Sequence, residues 1–192
     1  MNYNYYIFFL LLFLYSCNNH NRNFPQNEQP PKSGLEVQSS SGHFTVALPP
    51  DFPAPEADTQ RIGSVGDTIS MFTYISETKR GICFFGSNEY SSLTFMRQSA
   101  NDMLENAQNA ALKQWNAQLI DRKLFEKNGA NGMRYWFRTR MDGKDFYGRL
   151  DCLLSRPRMY QVGFFSFDKS ELDKSDILSY FNSLQVPFTQ VQ

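Results

Sequence analysis

The sequence predicts an α+β domain in which two blocks of strands are each followed by a helix. Three observations carry this. β-rich runs occur at Ile69–Ser76 and Gly81–Ser87, and again between Leu119 and Phe167. Between the blocks the apolar spacing lengthens to three and four residues, through Met96, Ala100, Met103, Leu104, Ala107, Ala111 and Trp115. Asp142-Gly143 interrupts two long runs with a dipeptide that tolerates positive φ at both positions, the chemistry of a two-residue hairpin.

The first element is an address. Tyr5 to Tyr15 is an unbroken apolar run of 11 residues. As a helix it reaches roughly 16 Å, half of a hydrocarbon core of about 30 Å, which suits a secretory h-region and not a spanning helix. The run ends in Leu14-Tyr15-Ser16-Cys17, which resembles the lipobox of bacterial lipoproteins. In that pattern a small residue precedes a cysteine that receives a diacylglycerol and becomes the new N-terminus. Tyr15 is bulkier than the pattern's usual residue, and Met1 to Asn4 carry no Lys or Arg. The resemblance implies a signal peptide at 1–16, lipidation of Cys17 and attachment to a membrane through the lipid. The implied location is the bacterial cell envelope. Under the sorting rule of enteric bacteria, Asn18 after the cysteine directs the protein to the outer membrane.

Residues 18–41 are dominated by Asn, Gln, Pro and Ser. They hold little that could be buried in exchange for the entropy of ordering, so residues 17–41 read as a lipidated cysteine and flexible tether reaching roughly 25–30 Å. One domain, 42–189, follows. His43 to Leu48 alternates and stops at Pro49-Pro50, and Pro53 and Pro55 keep the next stretch out of a sheet interior. Met96 to Trp115 forms one amphipathic helix of about 20 residues. Strands then run near Leu119–Glu126, Met133–Met141, Phe146–Leu154 and Tyr160–Phe167. A last helix starts at Asp168 to Glu171, with Ile177, Leu178, Phe181 and Leu184 as its apolar stripe.

Pairing across Asp142-Gly143 sets Arg140 opposite Asp145, Arg138 opposite Tyr147, Trp136 opposite Arg149 and Arg134 opposite Asp151. Two of these pairs are opposite charges, which supports the register. Arg138, Arg149, Trp136 and Tyr147 thus share one face. Arginine forks beside aromatic planes suit anionic or planar ligands, so these four residues are the candidate ligand or partner face. The competing reading is a half-exposed structural ladder, with Asp145 and Asp151 offsetting two arginines while Arg138 and Arg149 lack a charge partner.

The pieces Phe44-Thr45-Val46-Ala47-Leu48-Pro49 with Phe52-Pro53, Gly129-Ala130-Asn131-Gly132, Arg158-Met159-Tyr160-Gln161-Val162 and Tyr180-Phe181-Asn182-Ser183-Leu184 resemble the PsbP-like (DcrB-like) superfamily. The resemblance covers residues 43–188, and Leu184 stands where phenylalanine is usual. It implies an α/β/α sandwich around a central antiparallel sheet, flanked by a long helix and a C-terminal helix. It also implies a binding or assembly-assisting role without shared catalytic residues.

Composition bounds the function. Among 192 residues, 19 Lys and Arg balance 19 Asp and Glu, which argues against a protein whose main partner is nucleic acid, since neutralising phosphates needs a basic excess. An aromatic share of 16% argues for a packed core. The only histidines are His20, in the tether, and His43, at the first strand, so neither sits where a general base would be built into a pocket. Cys83 and Cys152 read either as inert buried thiols or as a disulfide if their Cα atoms lie about 4.4–6.8 Å apart. Asp168, Glu171, Asp173 and Asp176 lack the alternation and glycine of a calcium loop. Nucleotide-loop and Cys-x-x-Cys motifs are missing, and no catalytic residue, metal or cofactor is expected. The expected function is a lipid-anchored, non-catalytic envelope protein serving another envelope protein. The alternatives are a lipoprotein holding a small molecule or lipid between sheet and helix, and a hydrolase of unfamiliar geometry.

Overall fold

Seven strands make one antiparallel sheet, and their order differs from their order in the chain. The computed structural model describes residues 34–39, 43–64 and 67–186. Its elements are β1 (Glu36–Gln38), β2 (Thr45–Ala47), β3 (Glu56–Ser64), β4 (Asp67–Thr78), β5 (Gly81–Glu89), α1 (Ser92–Arg97), α2 (Ala100–Gln114), β6 (Gln118–Lys127), β7 (Ala130–Met141), β8 (Lys144–Ser155), β9 (Arg158–Ser166), a 3₁₀ turn (Lys169–Asp173) and α3 (Ser175–Ser183). The sheet order is β3-β4-β5-β9-β8-β7-β6, so two hairpin meanders meet along β5 and β9. The α1–α2 segment connects β5 to the far edge at β6.

Both faces of the sheet are covered, because successive strand residues point to opposite sides and the central strands are apolar at both parities. On one face Met103 and Leu104 of α2 pack on Phe84, Met133, Tyr135, Phe137, Leu150 and Cys152. On the other, Phe44, Val46 and Leu48 of the β1–β2 pair and Ile177, Tyr180 and Phe181 of α3 pack on Cys83, Phe85, Val162 and Phe164. The expected α/β/α sandwich is therefore the observed architecture. Gly148 lets it close: a Cβ there would stand 2.3 Å from the Phe137 ring. Asp142 (φ 52°) and Gly143 (φ 76°) form the expected turn, and β7 and β8 pair in the expected register, Arg134 with Asp151 through Arg140 with Asp145.

Three expectations are corrected, and one strand is added. The single helix from Met96 to Trp115 is two, because Ser99 restarts it: Ser99 Oγ accepts from Asp102 N–H at 3.1 Å while Asp102 accepts from Ser99 N–H at 3.3 Å. The last helix is also divided. Asp168 caps only the 3₁₀ turn, and Lys174 at ψ 141° breaks the chain before α3. The tether does not extend to residue 41, since Glu36–Gln38 pairs with Thr45–Ala47 and Val37 packs on the core. Finally, β3 was not anticipated; its solvent-exposed polar residues carry no alternating pattern, yet it pairs along its whole length with β4. The segment read as signal peptide, with Cys17 and the start of the tether, lies outside the described residues.

Candidate functional site

The arginine-aromatic face predicted from the hairpin exists, but α3 divides it. Its inner half is core. The Arg149 side chain is 5% exposed, and its guanidinium lies 3.8 Å from the centre of the Phe181 ring and 5.7 Å from that of Trp136. Arg149 Nε and Nη2 donate to the two carboxylate oxygens of Asp151 at 3.0 Å each. Arg134 donates to the same carboxylate from Nε and Nη2, at 2.7–3.0 Å. The expectation that Arg149 is half-exposed and lacks a charge partner is thus corrected. Its partner is two residues along its own strand, where a strand returns to the same face, and α3 roofs the pair. Such a pair belongs to the fold and is not available to a ligand.

The outer half is open. Arg138 is exposed and donates from Nη2 to Gln118 Oε1 at 3.0 Å, an amide and not a carboxylate. Arg140 lies 3.8 Å from Asp145 with its side chain 77% exposed. The Tyr147 hydroxyl donates to Asp145 Oδ2 at 3.4 Å. Trp136 and Tyr147 are half-buried and line a cleft of about 170 Å³, completed by Ile120, Asp121, Lys169 and Leu172. Lys123 Nζ lies 5.5 Å from the Trp136 ring centre. A shallower polar groove of about 470 Å³, lined by Gln118, Arg138, Arg140 and Asp145 among others, shares this end of the sheet. The sheet therefore offers an apolar notch bordered by exposed cations.

Of the four predicted residues, Trp136, Tyr147 and Arg138 belong to this outer half and Arg149 does not. Ile120, Asp121, Gln118 and Lys169 were missed. The first three sit on β6, whose register shifts by one residue between Leu119 and Asp121. A bulge cannot be read from alternation, so their facing was not deducible.

Elsewhere the groups available for chemistry are tied down. Cys83 and Cys152 are both free and buried in the cores on opposite faces of the sheet, so the disulfide reading is set aside. Burial pushes the Cys83 thiol well above its ordinary range and that of Cys152 up to about 12, which leaves little thiolate at neutral pH. Arg80 gathers three carboxylates: Nε reaches Glu171 at 2.8 Å, and Nη1 reaches Asp51 at 2.9 Å and Asp176 at 2.7 Å. This clasp ties the β4–β5 turn to the C-terminal segment. Among the described residues, no three His, Cys, Asp or Glu side chains are grouped so as to hold a metal ion.

No protein-family model matches the chain, and no curated protein matches it. Solved structures do. The cyanobacterial PsbP (CyanoP) of Synechocystis sp. PCC 6803 superposes with a TM-score of 0.56 at 12% identity, covering 86% of this chain and 99% of that one. The fold is PsbP-like. A Pseudomonas aeruginosa protein of unknown function, PA94, is similar at a TM-score of 0.42 and 11% identity over 73% of this chain and 86% of its own. The PsbP-like sheet is thus the frame that carries the notch, and at such identities the likeness concerns the fold alone.

Proposed function

We propose that the chain is a lipid-anchored, non-catalytic accessory protein of the bacterial cell envelope. Cys17 carries the lipid, and the PsbP-like domain holds an envelope protein on the outer face of β6–β8. One observation carries the reading: Trp136 and Tyr147 line an apolar notch beside Arg138, whose guanidinium is held by an amide and has no carboxylate partner among the described residues. At about 170 Å³ the notch falls short of the roughly 300–1,000 Å³ typical of small-molecule pockets, and it suits one apolar side chain of a partner. Lys123 and Arg140 face Asp121 and Asp145, so Arg138 and Lys169 supply the positive excess around the notch, which favours a partner segment that is acidic. The PsbP-like fold supports an accessory role, and the lipobox-like Leu14 to Cys17 supports the anchor.

A photo-crosslinking amino acid at Tyr147, introduced into the full chain in its native host, tests the partner face. A discrete adduct is expected, and W136A or R138Q should reduce it several-fold at equal protein abundance. An adduct unchanged by both substitutions would overturn the assignment. For the anchor, C17S should abolish palmitate labelling and leave an uncleaved precursor; labelling equal to wild type would remove it.

A further inference from the structure

The outer edge of the sheet carries a self-complementary code. β6 is the terminal strand of the seven, and most of its ten residues are exposed, including Leu124 at 66%. An edge of this length presents unpaired N–H and C=O groups that another strand can satisfy. Beyond the bulge at Ile120, Asp121 to Lys127 pairs regularly with β7. Arg122 reaches Glu105 of α2 at 3.2 Å and Leu124 pairs with core Met133, so residues 122, 124 and 126 belong to the α2 face. Lys123 lies over Trp136 and Phe125 stacks under Arg134, so 121, 123, 125 and 127 belong to the α3 face.

We infer that β6 pairs antiparallel with β6 of a second copy about a two-fold axis at Leu124, joining two sheets into one of fourteen strands. Symmetry limits the choices. An antiparallel two-fold pairing sets residues of the same face opposite one another, so the axis must pass through a residue, not between two. Within the regular stretch from Asp121 to Lys127, an axis at Asp121, Arg122, Lys123, Glu126 or Lys127 sets a charge against its own copy. An axis at Phe125 sets Lys123 against Lys127 of the second copy, twice. At Leu124 alone the charges agree: Asp121 meets Lys127 and Arg122 meets Glu126, each pair occurring twice, with Leu124 on Leu124 at the centre. The intramolecular contacts of Arg122 with Glu105 and of Lys123 with Asp121 are solvent-exposed, so they can be shared or exchanged at little cost. Lys123 and Lys127 then act as guards that reject the neighbouring registers. This inference is argued separately from the partner face proposed above: pairing uses the backbone edge of β6, and the two share only Asp121 and Lys123 at the rim of the Trp136–Tyr147 notch.

The test uses the full chain in detergent, from micromolar to near-millimolar concentration. A two-copy mass is expected by sedimentation or native mass spectrometry. L124C should give a disulfide-linked dimer on mild oxidation, with wild type, which keeps Cys17, Cys83 and Cys152, as the background. R122E and E126R should each weaken association by about tenfold or more, since each places like charges opposite one another twice. Mixing the two single variants should restore the dimer, because each then meets its complement. A single-copy mass throughout, a dimer indifferent to both charge reversals, or a mixture that stays dissociated would overturn the pairing.

Discussion

Arg149 and Arg138 lie on the same face of one hairpin, each beside an aromatic ring, and they do opposite things. Arg149 sits under α3, sandwiched near Phe181 and shared with Arg134 on one carboxylate. Arg138, on the neighbouring strand and further toward the Asp142 turn, is exposed and, among the described residues, is hydrogen-bonded to the amide of Gln118. The lesson is that the chemistry of a guanidinium beside a ring does not itself mark a binding site. What decides is the roof: where α3 covers the sheet, the cation becomes part of the core and must be paired, and where α3 ends, it stays available.

The largest expected effect lies in the roofed half. Asp151 holds two arginines while its side chain is 7% exposed. D151A leaves Arg149 buried without a counter-charge and should cost about 3–5 kcal/mol. For a domain of this size that is a fall in Tm of about 10 °C or more in thermal melts. A loss as small as that of a surface charge would mean that α3 does not cover this pair.

Next comes the Arg80 clasp, which contrasts with the sheet face because its charges are paired threefold and only partly buried. R80Q should cost about 2 kcal/mol, the order of a lost hydrogen-bonded charge contact. It should also change the pH dependence. The hydrogen bond from Arg80 holds the Asp176 carboxyl below its ordinary value, with burial opposing it. A carboxyl whose folded pKa is depressed stabilises the fold above its unfolded pKa, and this contribution fades as pH falls through the folded value. Wild type should therefore lose more Tm than R80Q between about pH 5 and about pH 3. Parallel melting curves would remove the clasp from the account.

The smallest effect belongs to the open half. R138Q should change stability by less than about 0.5 kcal/mol, because an exposed cation hydrogen-bonded to an amide contributes little. Coincident denaturation curves for R138Q and wild type, set against the fall in D151A, sharpen the contrast between the halves. A clear destabilisation by R138Q would place it with Arg149.

How far this division was legible depends on which forces set it. The β7–β8 register followed from Asp142-Gly143 and two opposite-charge pairs, because both signals are local. The α+β class followed from the change of apolar period, and the sandwich was what the family resemblance implied. The burial of Arg149 was not legible, since it depends on where α3, which starts 26 residues further on, comes to rest. The Asp151 partnership is readable from the sequence, since residues two apart on a strand share a face and Arg149 stands two residues before Asp151. Strand β3 escaped because an exposed edge strand needs no apolar stripe. The break at Ser99 escaped for another reason: its Ser-x-x-Asp box was present, but it lay inside an apolar spacing that continued across it.

The most direct test of the divided face is the reactivity of its two arginines toward phenylglyoxal, read by mass spectrometry in the purified full chain and in intact envelopes of the host. The structure predicts that Arg149 is protected in both settings. Arg138 should react readily when purified and several-fold more slowly in the envelope, where the proposed partner covers it. Arg149 reacting as fast as Arg138 would contradict the roofed core, and Arg138 reacting equally in both settings would contradict the partner face.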